Sequence, residues 1–89
     1  MKIKSGFVLE QVGDNWLAVA VGELASNFHA LIKLNSTGAF LWNKISEQSL
    51  TEDELVECLL AEYDVEREIA ERDIKNFVAT LIAGGLLDD

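Results

Sequence analysis

The sequence predicts a small α+β domain, a three-stranded antiparallel sheet followed by three helices in a winged helix-turn-helix-like layout. Three observations predict it. The apolar pattern changes period once, near residue 35, from short strand-like runs to helical spacing. Gly13-Asp14-Asn15 separates two of the early runs as a hairpin turn does. Thr51-Glu52-Asp53-Glu54 has the form of a capping box, and Gly84-Gly85 has the form of a helix stop. The 89 residues, 49% apolar, fit one domain spanning 1–89. A chain of that size buries roughly 60–65% of its unfolded surface.

Each element follows from its own residues. Phe7-Val8-Leu9-Glu10-Gln11-Val12 and Trp16-Leu17-Ala18-Val19-Ala20-Val21 are rich in β-branched and aromatic residues and read as the first two strands. His29-Ala30-Leu31-Ile32-Lys33-Leu34 reads as the third. Its alternation sets Ala30, Ile32 and Leu34 on one face and Leu31 and Lys33 on the other. Asn35, Ser36 or Thr37 then caps a helix carrying Phe40, Leu41, Trp42 and Ile45. The second helix starts at the capping box and bears the stripe Leu55, Val56, Leu59, Leu60 and Tyr63, with Cys58 pointing away from it. Asp64 caps a third helix over roughly 65–83, whose core face is Ala70, Ile74, Phe77, Val78 and Leu81. Ile69, Asp73 and Thr80 lie along one shoulder of that helix, and Glu71, Lys75 and Ile82 along the other.

Charge narrows the function. The formal charge is -9 at pH 7, yet residues 1–50 hold equal numbers of acidic and basic side chains. The whole excess sits in residues 51–89, where twelve acidic side chains meet only Arg67, Arg72 and Lys75. Winged helix-turn-helix layouts often bind DNA through the last helix. Here that helix carries Glu66, Glu68, Glu71 and Asp73 at its start, which repels phosphate and argues against a nucleic-acid partner. No apolar run approaches the ~18 residues of a membrane span. The N-terminal residues lack the continuous apolar region of a signal peptide, and a lone Cys58 makes no internal disulfide, which together point to a cytoplasmic location.

Catalytic chemistry is scarce. His29 is the one histidine and Cys58 the one cysteine, so no metal-ligand spacing exists and no metal site or cofactor is expected. No glycine-rich phosphate loop occurs, and the acidic pairs fall at ordinary helix-surface spacing. The chain reads as non-catalytic, with no catalytic residues. The remaining class is protein or peptide recognition, for which the free edge of a sheet offers unpaired N–H and C=O groups.

The run Leu31-Ile32-Lys33-Leu34-Asn35-Ser36-Thr37-Gly38-Ala39-Phe40-Leu41-Trp42 contains an L-N-x-T-G-x-x-[apolar]-W pattern. It resembles the centre of the PqqD-like family, named for pyrroloquinoline quinone biosynthesis protein D. Gly6-Phe7-Val8-Leu9, Thr51-Glu52-Asp53-Glu54-Leu55, Tyr63-Asp64-Val65 and Gly84-Gly85-Leu86-Leu87 extend the resemblance over essentially the whole chain. It implies a peptide chaperone, or precursor-peptide recognition element. Such a domain binds the leader segment of a ribosomally made peptide and delivers it to a modifying enzyme, often a radical S-adenosylmethionine protein. The leader adds as a strand to the third strand, in the groove facing the third helix. By position the resemblance implies peptide-binding roles for Ala30, Leu31, Ile32, Lys33 and Leu34 on the strand, and for Ile69, Asp73, Asn76, Phe77 and Thr80 on the helix. The alternative is a structural or regulatory module that self-associates, or docks on an enzyme, through the same edge strand. Monomer and homodimer both remain open.

Overall fold

The computed structural model describes residues 1–21 and 32–87. Among them the order is β1 (Phe7–Val12), β2 (Asn15–Ala20), β3 (Ile32–Leu34), α1 (Ser36–Glu47), α2 (Glu52–Glu62) and α3 (Arg67–Gly84). This is the α+β order the sequence predicts. The strands pair antiparallel in the order β1-β2-β3. The β1–β2 connection is tighter than Gly13-Asp14-Asn15 suggested: Asn15 pairs with Val12, leaving only Gly13 and Asp14 in the turn. Gly13 adopts φ +64°, a left-handed conformation that suits glycine. Residues 29–31 of the expected third strand lie outside the described residues.

The pleat sorts the side chains. Leu9, Ala18 and Ile32 form one cross-strand row, and Gln11, Trp16 and Leu34 the next. Ala18 and Leu34 are buried, and Phe7, Leu9, Trp16 and Ile32 pack against the core from the same face. Lys33 alternates to the opposite face and is exposed.

Asn35 caps α1, its side-chain oxygen accepting from the Gly38 amide at 2.8 Å. The helix buries Leu41, Trp42 and Ile45. Phe7 meets the Trp42 ring edge-to-face, with centroids 6.4 Å apart. α2 begins with the anticipated reciprocal capping box, in which Thr51 Oγ1 accepts from the Glu54 amide and Glu54 Oε1 accepts from the Thr51 amide. Leu55, Val56 and Leu59 are buried. Cys58 departs from the expectation. One turn beyond Leu55, it is partly buried and packs against the core.

α3 buries Ala70, Ile74, Phe77, Val78 and Leu81, the five residues the periodicity selects. Its start differs from the sequence reading. Residues 64–66 have no regular structure, Glu66 is the N-cap without a side-chain cap bond, and the first helical residue is Arg67. The Glu66 carbonyl accepts from Ala70, and Arg67 pairs with Glu57 on α2 at 2.6 Å, so α3 begins where it meets α2. Both partners are exposed, and such a pair adds little stability. The end follows the expectation. Gly85 is left-handed (φ 73°), with Gly85 N–H donating to Ile82 and Leu86 N–H to Leu81, the two bonds of a Schellman stop.

The N-terminal residues close the other end of the core. Ile3 pairs with Leu87, the Lys4 amide donates to Leu86, and the Met1 carbonyl accepts from Leu50. Ile3 and Leu86 are buried as a result. No helix among the described residues is long and apolar enough to cross a membrane.

Candidate functional site

The candidate site is the edge of β3. In an antiparallel ladder, successive residues turn their N–H and C=O groups alternately to the two sides of the strand. The Val21 amide donates to the Gly6 carbonyl at 2.7 Å, which makes positions 17, 19 and 21 of the second strand face β1. Trp16 and Ala18 therefore face β3, where they oppose Leu34 and Ile32. Lys33, opposite Leu17, turns its N–H and C=O away from the sheet. Among the described residues it supplies the outward-facing backbone pair of this edge.

A cavity of about 330 Å³ lies between the end of β3, the first turn of α1 and the middle of α3. Its apolar surface comes from Leu34, Gly38, Leu41 and Phe77. Hydrogen-bonding residues surround these: Lys33, Asn35, Thr37, Asp73, Asn76 and Thr80. Local sequence explains the shape. The Asn35 cap turns the chain sharply from strand to helix, and Gly38 lets α1 approach β3. A methyl group on Gly38 would lie 3.1 Å from Leu34 Cβ and 3.2 Å from Leu34 Cδ2. On α3, Asp73, Asn76, Phe77 and Thr80 share a face by helical spacing.

Among the described residues, Asp73 is the one carboxylate and Lys33 the one side-chain cation lining this cavity. Arg72 Nε stands 3.8 Å from Asp73 Oδ1, too long for a strong bond. The Thr80 hydroxyl donates to its own helix at the Asn76 carbonyl, 3.0 Å away. An apolar surface, hydrogen-bonding residues around it and, among the described residues, a strand edge with outward-facing backbone groups are features that suit an extended peptide. No group of three or more His, Cys, Asp or Glu side chains among the described residues is placed to hold a metal ion.

Six of the candidate residues named from the sequence line this one cavity: Lys33, Leu34, Asp73, Asn76, Phe77 and Thr80. Two described ones do not. Ile32 is partly buried against the core, and a methyl group on Gly84 would lie 2.9 Å from its Cδ1. Ile69 is 39% exposed on α3 and stands outside the cavity lining. Ala30 and Leu31 lie outside the described residues. Asn35, Thr37, Gly38 and Leu41 were not anticipated as lining residues. The signal was available, because a groove beside the end of β3 has to include the first turn of the helix that follows it.

Comparison with known proteins places the fold. The family model described as Coenzyme PQQ synthesis protein D (PqqD) matches residues 17–87. The solved structure of TbiB1 in complex with the TbiA(beta) leader peptide is similar, with a TM-score of 0.74 and 26% identity over 99% of this chain and 95% of that one. Lasso peptide synthetase B1 complexed with the leader peptide gives a TM-score of 0.70 at 22% identity, over 96% of this chain and 93% of that one, a likeness of fold. No curated protein matches significantly.

Proposed function

The chain belongs to the PqqD family, and from that membership we propose that it is a non-catalytic binder of the leader segment of a ribosomally made precursor peptide. The leader adds as a strand to β3, pairing with the Lys33 N–H and C=O, and places a side chain over Leu34, Leu41 and Phe77. Asp73, Asn76 and Thr80 on α3 read the neighbouring positions. The bound leader is then presented to a modifying enzyme, radical S-adenosylmethionine proteins being one candidate class. The observation that carries this reading is the outward-facing backbone of Lys33 beside a cavity with an apolar floor. The similarity to TbiB1, solved with a leader peptide, supports it.

Titration calorimetry with leader peptides of precursors encoded beside the gene tests the reading. One-to-one binding that weakens when the leader's central residues are replaced by proline is the expected result. A failure of every neighbouring leader to bind, together with a solution dimer closed through the β3 edge, would instead support self-association.

A further inference from the structure

α3 has a second groove on its other shoulder, away from Asp73, Asn76 and Thr80. A cavity of about 430 Å³ opens there, with Leu50, Val78, Ile82 and Leu87 supplying apolar surface. It shares Glu52 with a neighbouring cavity of about 270 Å³, which runs past Val56 and Ile74 towards Glu71. Ile82 is 64% exposed, the most exposed of the large hydrophobic side chains in the described residues. An isoleucine that open to water gains by being covered.

Charge says what covers it. Glu52, Asp53 and Glu71 line the two cavities, against Lys75 and the Met1 ammonium. That ammonium already donates to the Leu50 carbonyl and Ser49 hydroxyl. The field around the groove is dominated by α2, which carries five acidic side chains and no basic one, whereas α3 holds three of each sign. Anionic membrane surfaces and nucleic acids are repelled by it. A second copy of this chain carries the same net charge of -9 and is repelled overall.

We propose that this groove docks a basic protein segment that inserts an apolar side chain beside Ile82. The surface is separate from the β3 edge, and the inference does not depend on leader binding there. With α3 as the shared wall, both surfaces can be filled at once.

The probe is a helical Leu/Lys peptide of about 18 residues, roughly 27 Å long and so the length of α3, set against its Leu/Glu counterpart. Amide shifts of the labelled full chain should centre on Leu50, Thr51, Glu52, Val78 and Ile82 with the basic peptide and be absent with the acidic one. Affinity should fall as salt rises, and Ile82→Lys should lower it about tenfold or more. Ile82→Lys should leave the melting temperature and any leader affinity unchanged, which separates this proposal from the leader reading. Equal binding of both peptides, shifts centred on Asn76 and Thr80, or an unaltered affinity for Ile82→Lys would each overturn it.

Discussion

The Gly38 amide donates to the Asn35 side chain at 2.8 Å, and through that bond the last residue before α1 fixes both the helix start and one wall of the β3 groove. Asn35→Ala removes the acceptor and leaves the amide unpaired, which costs about 0.5–2 kcal/mol of stability. Asn35→Asp, which keeps an oxygen in place, should recover most of it. Urea denaturation of the three proteins checks both.

Gly38→Val should destabilise more than Gly38→Ala. The first methyl group already meets Leu34 at 3.1 Å, and helix propensity favours alanine by about 1 kcal/mol, which offsets part of the crowding. Valine adds further bulk without that gain. Thermal unfolding should give the order wild type, alanine, valine, with leader affinity falling alongside as the cavity narrows.

Trp42 is 3% exposed and packs edge-to-face on Phe7. Trp42→Ala should cost about 3–5 kcal/mol, enough to unfold much of a population this small in total stability. Loss of the cooperative transition in chemical denaturation is the expected result. A loss below about 1 kcal/mol would mean that the ring is not the packing centre described here.

Asp73→Lys tests side-chain reading on α3. The Asp73 side chain is 46% exposed and among the described residues makes only the long Arg72 ion-pair contact, so the fold should tolerate the change. Leader affinity should shift, in opposite directions for leaders carrying a basic and an acidic residue at the facing position. Calorimetry with a charge-swapped leader pair measures this, and a large fall in melting temperature would assign Asp73 a structural role instead.

Lys33→Pro and Lys33→Ala separate backbone from side chain. Proline at 33 removes an N–H that points away from β2, so the internal ladder survives, as at other edge positions. It should weaken leader binding about tenfold. Alanine keeps the N–H and should bind nearly as the wild type does. The same proline at Ile32 would break the bond to Ala18 and damage the sheet itself.

Much of this architecture is legible in the sequence because each signal is local. The five core residues of α3, the α2 capping box and the Gly85 stop each follow from spacing within a few turns. The start of α3 was misplaced because Asp64 is as good a cap by type as any. What sets the true start is where the helix meets α2, a tertiary fact. Ile3 pairing with Leu87 has no sequence signal at all, since the partners stand at opposite ends of the chain. The groove divides in the same way. Lys33, Asp73, Asn76, Phe77 and Thr80 follow from periodicity and the family resemblance, whereas Asn35 and Thr37 were read as caps, and they and Gly38 join the cavity only through the sharp turn from β3 into α1.

Hydrogen exchange at the Lys33 amide tests the central claim most directly. In the free protein the Ile32 and Leu34 amides, turned towards β2, should exchange slowly, while that of Lys33 exchanges fast. Saturating leader peptide should slow the Lys33 amide about tenfold or more, because strand addition pairs that N–H. A leader that binds tightly while Lys33 exchanges at its free rate would contradict strand addition at β3.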